Sequence, residues 1–283
     1  MITAMPRIAI ATRDFSTCVA TFRDRLGMPV IDLSEETVGS LGAKLAICVP
    51  EGGSNIELMS PATPDAPLSQ SLQRFLDRRG EGFFALMLEA PDPDAEAELL
   101  ASRGLDVLPL MPGAGGRDVH PHSTHGVLIR VYPVDSLQGL APGPAEVPSS
   151  SGLSGIARAM VVVRDLELAT TVYGSRFGLE VAEPQVDAKR GIRSAICTPP
   201  SGGVIELISV VDRNHPFAAP VAGFLEDGRE GLYALVLQSP DLADTASKLA
   251  ARKLEVTNPP GAADVLEIDR GATFGARIWI EPT

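Results

Sequence analysis

The 283-residue chain carries 24 Lys and Arg against 36 Asp and Glu, a net charge of −12, so nucleic acid and anionic membranes are disfavoured as partners because their phosphates repel it. With 45% hydrophobic and 21% charged residues it has the apolar content for a full core, which excludes dominant disorder. Three cysteines, Cys18, Cys48 and Cys197, are too few for a disulfide framework. The N-terminus lacks a signal-peptide pattern, and no apolar run approaches the roughly 20 residues that span a bilayer, so a cytoplasmic protein of two domains is expected.

In chain order, Arg7 to Thr12 is a β-like apolar run ending at Arg13-Asp14, and the pattern after it predicts a helix over Phe15 to Leu26, closed by Gly27. Leu45 to Val49 and Asn55 to Met59, separated by Glu51-Gly52-Gly53-Ser54, predict a hairpin. Ala85 to Glu89 is a second apolar run, ending at Pro91-Asp92. It leads into a predicted helix over Pro93 to Arg103, closed by Gly104. Val127 to Val131 reads as the last strand of the first half. Pro142, Pro144, Pro148 and Ser149 to Ser151 then mark a connecting segment between Leu137 and Gly155.

The pattern recurs. Gly42 to Cys48 matches Gly191 to Cys197, Ile56-Glu57-Leu58 matches Ile205-Glu206-Leu207, Glu81-Gly82 matches Glu230-Gly231, and Pro91-Asp92 matches Pro240-Asp241, each pair 149 positions apart. The chain reads as a tandem duplication: residues 1–137, a connecting segment 138–153 and residues 154–283. Each copy is itself doubled, more faintly, into β-α-β-β-β units.

Ile8-Ala-Ile-Ala-Thr-Arg-Asp14, Arg25-Leu-Gly27, Asn55-Ile-Glu-Leu-Met-Ser-Pro61, Arg79-Gly-Glu-Gly82 and His120-Pro-His-Ser-Thr-His-Gly-Val-Leu-Ile129 together resemble the vicinal oxygen chelate superfamily, the glyoxalase, bleomycin-resistance and extradiol-dioxygenase group. Within it the pattern is most similar to methylmalonyl-CoA epimerase-like proteins. The resemblance implies an α+β fold of tandem glyoxalase-like domains, each made of two paired βαβββ units in a cupped, mostly antiparallel sheet. It also implies a metal in each cup on His, Glu or Gln, His and Glu. Here those positions fall on Arg7, Glu57, Ala85 and Arg130 in the first copy, and on Arg158, Glu206, Ala234 and Trp279 in the second. Arginine has no lone pair to offer a metal, so the expectation is no metal and no other cofactor.

Two readings of the substituted positions stand side by side. Arg7 with Glu57, and Arg158 with Glu206, form internal ion pairs where a metal would sit. Alternatively, Arg7 and Arg130 flank Glu57 as a site for a carboxylate, phosphate or enolate. The second reading makes Glu57 a general base and the two arginines oxyanion stabilisers. His120 and His125 are candidate pocket residues at the rim of the first cup, because the resemblance puts that stretch near substrate. Arg158, Glu206 and Trp279, the second-cup equivalents of Arg7, Glu57 and Arg130, are candidate substrate-binding residues there, with Trp279 expected to take up ligand volume. His122 and His215 read as loop residues, and Cys48 and Cys197 as core. Arg74, Arg78 and Arg79 form a basic spot at a helix end.

Two classes of function follow. One is a metal-independent isomerase, cyclase or lyase acting on an enolisable carbonyl compound, such as an acyl-CoA or a polyketide-like molecule. The other is a resistance-type binding protein that sequesters a small molecule in an empty cup. In both the partner is a small molecule, and a homodimer is compatible with either. An extradiol-type dioxygenase would need a His/His/Glu iron site, which the sequence does not contain.

Overall fold

The computed structural model describes residues 1–51, 54–134, 136–137 and 151–283. The hairpin glycines Gly52 and Gly53, and the connecting segment from residue 138 to residue 150, lie outside the described residues.

The first copy contributes strands β1 (Ala4–Ala11), β2 (Val30–Asp32), β3 (Ala43–Cys48), β4 (Asn55–Pro61), β5 (Gly82–Ala90), β6 (Arg117–Val119) and β7 (Ile129–Pro133), and helices α1 (Phe15–Ala20), α2 (Ser34–Leu41), α3 (Pro67–Arg79) and α4 (Pro93–Ser102). The second contributes β8 (Ser154–Val162), β9 (Glu180–Val181), β10 (Gln185–Asp187), β11 (Ile192–Thr198), β12 (Ile205–Val210), β13 (Gly231–Ser239), β14 (Val256–Thr257), β15 (Leu266–Ile268) and β16 (Ile278–Pro282), with α5 (Leu166–Thr170), α6 (Ala218–Glu226) and α7 (Leu242–Ala251). Among the described residues the first sheet runs β2-β3-β4-β1-β5-β7-β6 and the second β10-β11-β12-β8-β13-β16-β15-β14, with β9 beside β11. In each, the two units meet at an antiparallel seam, β1 on β5 and β8 on β13. Each copy is therefore a complete mixed, mostly antiparallel cup.

The repeated Arg-Asp and Pro-Asp pairs are helix starts. Asp14 accepts from the Thr17 amide at 3.1 Å, Asp92 from Asp94 and Ala95 at 3.0 Å, Asp165 from Leu168 at 2.9 Å and Asp241 from Asp244 at 2.9 Å. Each satisfies amides that the first helical turn leaves unpaired. The helix expected over Phe15 to Leu26 is shorter than a plain α-helix. It widens into a π turn over Thr21–Arg25, where the Leu26 amide reaches back to the Thr21 carbonyl at 2.9 Å. The second copy does the same over Thr171–Arg176, so the widening belongs to the repeat. Glu35 and Glu36 lie in the first turn of α2.

Two helices outside the βαβββ pattern occupy the cups. Leu68, Leu72 and Leu76 of α3 pack on Ala9, Ala11, Met59, Ala85 and Met87 of the first sheet. Val221 and Leu225 of α6, with Phe217, pack on Met160, Val162, Ala234 and Trp279 of the second. Burying a leucine contributes about 2 kcal/mol, so each helix has ample reason to sit there. The expectation of empty cups is corrected by these helices. The opposite faces of both sheets, with α1, α4, α5 and α7, share one continuous apolar cluster that runs from Phe22 to Phe177.

The copies also join through their turns. Gly126 and Gly275 sit 149 positions apart with φ of 79° and 77°. A side chain at Gly126 would run into the Glu230 carbonyl, and one at Gly275 into the Glu81 carbonyl. Each copy thus lays a Thr-x-Gly turn on the Gly-Glu-Gly or Arg-Glu-Gly turn of the other, at positions only glycine can fill. No helix among the described residues is long and apolar enough to cross a membrane.

Candidate functional site

Strand register puts the substituted positions where the repeat predicts. Glu57 is opposite Ala9 across β4–β1, and Arg130 is opposite Met87 across β7–β5, so the two are equivalent in the paired units. Glu206 opposite Met160 and Trp279 opposite Val236 repeat this in the second cup.

In the first cup Glu57 is fully buried and accepts from Arg7 Nη1 at 3.1 Å. Arg7 also donates to Ser136 Oγ at 2.9 Å and stacks 4.2 Å from the centre of the Tyr132 ring. Burial, and then the Glu57 charge, push the Tyr132 hydroxyl up, against the pull of Arg130 and Arg7. Arg130 does not face Glu57. Its Nε and Nη2 both lie on Asp118, its direct partner across β6–β7. Burial acts to lower the Arg130 pKa, but the Asp118 contact outweighs it and holds the guanidinium firmly charged. Two cations over one carboxylate, as the recognition reading requires, do not form. The charges pair off one to one instead.

The second cup is denser. Arg158 Nε donates to Glu206 at 2.6 Å and its other nitrogens form a fork on Glu281. Arg190 reaches Glu206 at 2.9 Å and Asp187 at 2.6 Å. Trp279 is 5% exposed and packs against Phe217 and Tyr233, with ring centres 5.5 and 6.0 Å away. It fills volume between sheet and α6.

The metal that the fold resemblance implies does not fit this donor set. At the four positions each cup offers one carboxylate, which the arginine at the first of them already holds, together with Ala85 and Arg130 or Ala234 and Trp279. Among the described residues no three His, Cys, Asp or Glu side chains come together as a possible ion site. His120 Nδ1 accepts from the His122 amide at 3.1 Å, and His125, at φ 53°, places Nδ1 3.6 Å from Glu230 of the other copy. His215 Nδ1 accepts from the Phe217 amide at 3.2 Å, next to α6. Cys48 and Cys197 are buried, and burial lifts both thiols, Cys197 to about 12.

The large opening lies elsewhere, between the copies. A cavity of about 780 Å³ is bounded by the C-terminal halves of α3 and α6, the starts of β5 and β13, and the turns that join the copies. His120 is on its wall, and Glu57, Arg7 and Arg130 are not. Two edge-to-face aromatic pairs line it: Phe75–Phe84 at 5.3 Å and Phe224–Tyr233 at 5.3 Å, again 149 positions apart. Six arginines, Arg74, Arg78, Arg79, Arg229, Arg270 and Arg277, face three acids, Glu81, Asp227 and Glu230, in a chain that is acidic overall. Arg277 stacks 4.0 Å from the centre of the Tyr233 ring and donates to Glu267 at 3.2 Å. Burial, and then the neighbouring charge of Arg229, pull its pKa down to about 10. Sequence reasoning stopped at Trp279 and passed over Arg277, although a spacing of two on a strand puts both on one face.

Solved structures resemble the whole chain. A mutant of 4-hydroxymandelate synthase from Streptomyces coelicolor overlays with a TM-score of 0.72 at 14% identity, covering 100% of this chain and 93% of that one. A xylose isomerase-like TIM barrel/4-hydroxyphenylpyruvate dioxygenase fusion protein overlays with a TM-score of 0.62 at 11% identity, covering 100% of this chain and 49% of that one. Methylmalonyl-CoA epimerase from Mycobacterium tuberculosis overlays 49% of this chain and 94% of its own, at 19% identity and a TM-score of 0.41. No curated protein sequence matches. A family model matches twice, over residues 7–120 and 159–270, and with both cups built from paired βαβββ units the chain belongs to the glyoxalase/bleomycin resistance protein/dioxygenase superfamily.

Proposed function

We propose that the chain is a small-molecule binding protein whose ligand sits in the cavity between the copies and not in either cup. The observation that carries this reading is the cavity itself. Its volume of about 780 Å³ falls in the range of ligand pockets, and aromatic pairs from both copies wall it. Both cups, by contrast, are filled by their own helices. Gly223 offers a direct test. It lies on α6, lines the cavity, and has open space where a side chain would project. Gly223→Phe fills the cavity without disturbing the helix. Wild-type protein should bind the fluorescent probe anilinonaphthalene sulfonate saturably, and Gly223→Phe should lose most of that signal while melting normally. Undiminished binding by the variant rejects the cavity as the site.

A catalytic reading rests on a different observation. Glu57 Oε1, Arg7 Nε and Asn55 Oδ1 are buried without a hydrogen-bond partner among the described residues. In that reading the chain is a metal-independent isomerase, cyclase or lyase, Glu57 takes a proton from carbon, and Arg7 steadies the oxyanion. Arg130, held by Asp118, has only a supporting part. Proton exchange of pyruvate in heavy water, followed by NMR, should then run faster with the wild type than with Glu57→Gln. A wild-type rate equal to buffer alone removes this reading.

A further inference from the structure

We infer that the cavity takes an aromatic carboxylate, one per chain, with its carboxylate on Arg277 and Arg229 and its ring between the two aromatic pairs; this rests on the cavity being the binding site. The two arginines have donors to spare. Arg277 uses Nε on Glu267 and Arg229 uses Nη2 on Asp227, but Arg277 Nη1 and Arg229 Nε are buried with no acceptor among the described residues. A buried donor without an acceptor is costly, and a carboxylate oxygen relieves it with a charge-assisted bond. The two guanidiniums are also close enough for the charge of one to disfavour that of the other, and a bound anion removes that conflict.

Of the three acids on the wall, Asp227 takes Nη2 of Arg229, and the other two do not compete for the free donors. Glu81 accepts from Thr12 Oγ1 at 2.8 Å and from the Arg13 amide at 2.7 Å, and Glu230 accepts from the Arg164 amide at 2.6 Å. Each is turned toward the backbone at the end of a strand. The arginines already lie on aromatic faces, Arg277 on Tyr233 and Arg229 4.9 Å from the centre of Phe224, so an anion at their free edges brings its own ring against the same wall. The opposite end of the cavity lacks the pair: 149 positions earlier, Leu128 stands for Arg277 and Gly80 for Arg229. The exposed Arg74, Arg78 and Arg79 there raise the local concentration of anions without offering buried donors.

Calorimetry on the full chain with naphthoate and its neutral isostere naphthamide tests this. Naphthoate should bind with one site per chain and about tenfold or more tighter than naphthamide. Arg277→Gln and Arg229→Gln should each erode that preference and leave naphthamide affinity within about twofold. Because Arg277 is largely buried, its replacement can destabilise the chain. The comparison of the two probes on wild type, and Arg229→Gln, decide the matter without it. Equal affinities, two naphthoates per chain, or a preference that survives Arg229→Gln overturns the anion site. If Gly223→Phe still abolishes binding in that case, the cavity reading stands. Failure of both probes to bind at millimolar concentration overturns both.

Discussion

The two cups begin from the same backbone and reach opposite solutions for a buried charge. In the first, Glu57 has one partner, Arg7, at 3.1 Å, and Arg130 is drawn off to Asp118. In the second, Glu206 has two partners, Arg158 and Arg190, and each of those has a further carboxylate in Glu281 or Asp187. An isolated pair fails completely when one member is lost, whereas a mesh redistributes. The first cup is thus the brittle one.

The largest effect should come from Glu57→Ala, which leaves Arg7 buried with no counter-ion. It should lower unfolding free energy by about 3–5 kcal/mol in urea melts. Glu206→Ala, which leaves Arg158 on Glu281 and Arg190 on Asp187, should cost less than half of that. Equal losses would erase the contrast between the cups. Replacing both members, as Arg7→Met with Glu57→Leu, should recover most of the loss, because two apolar groups leave nothing unpaired.

The joint between the copies should behave symmetrically where the cups do not. Gly126→Ala and Gly275→Ala each force a side chain onto a facing carbonyl at positive φ, and each should cost about 1–3 kcal/mol by the same melts. A loss in only one of them would mean that the reciprocal turns are unequal supports. The smallest effect belongs to the helix starts. Hydrogen bonds from the Thr17 hydroxyl and amide hold the Asp14 carboxyl below its ordinary range. A depressed folded pKa contributes stability above the unfolded value and loses it as pH falls through the folded one. The difference in Tm between wild type and Asp14→Ala should therefore be present at neutral pH and shrink below about pH 4. A difference that persists unchanged in acid would assign the effect to packing and not to the charge.

The duplication was legible because one offset of 149 positions holds along the chain, and the helix starts because they are local. Asp14, Asp92, Asp165 and Asp241 act within three residues of themselves. Arg130 was misjudged because its partner Asp118 is fixed only by the pairing of β6 with β7. The contents of the cups had a signal that went unread: Leu68, Leu72 and Leu76, like Phe217, Val221 and Leu225, recur every four residues, the period of a buried helix face. The cavity had none, since Phe84 and Tyr233 come to line one space only when the two copies dock.

Covalent linkage of the copies has a consequence for that docking. Two identical subunits meeting about a twofold axis must show the same residue on both sides of it, so a pocket on the axis is obliged to have matching ends. Within one chain that obligation lapses. Position 128 is Leu and position 277 is Arg although the turns beside them, at Gly126 and Gly275, remain mirrored in function. The scaffold stays even-handed while the chamber it encloses acquires a head and a tail, and a guest that enters it has one orientation to prefer.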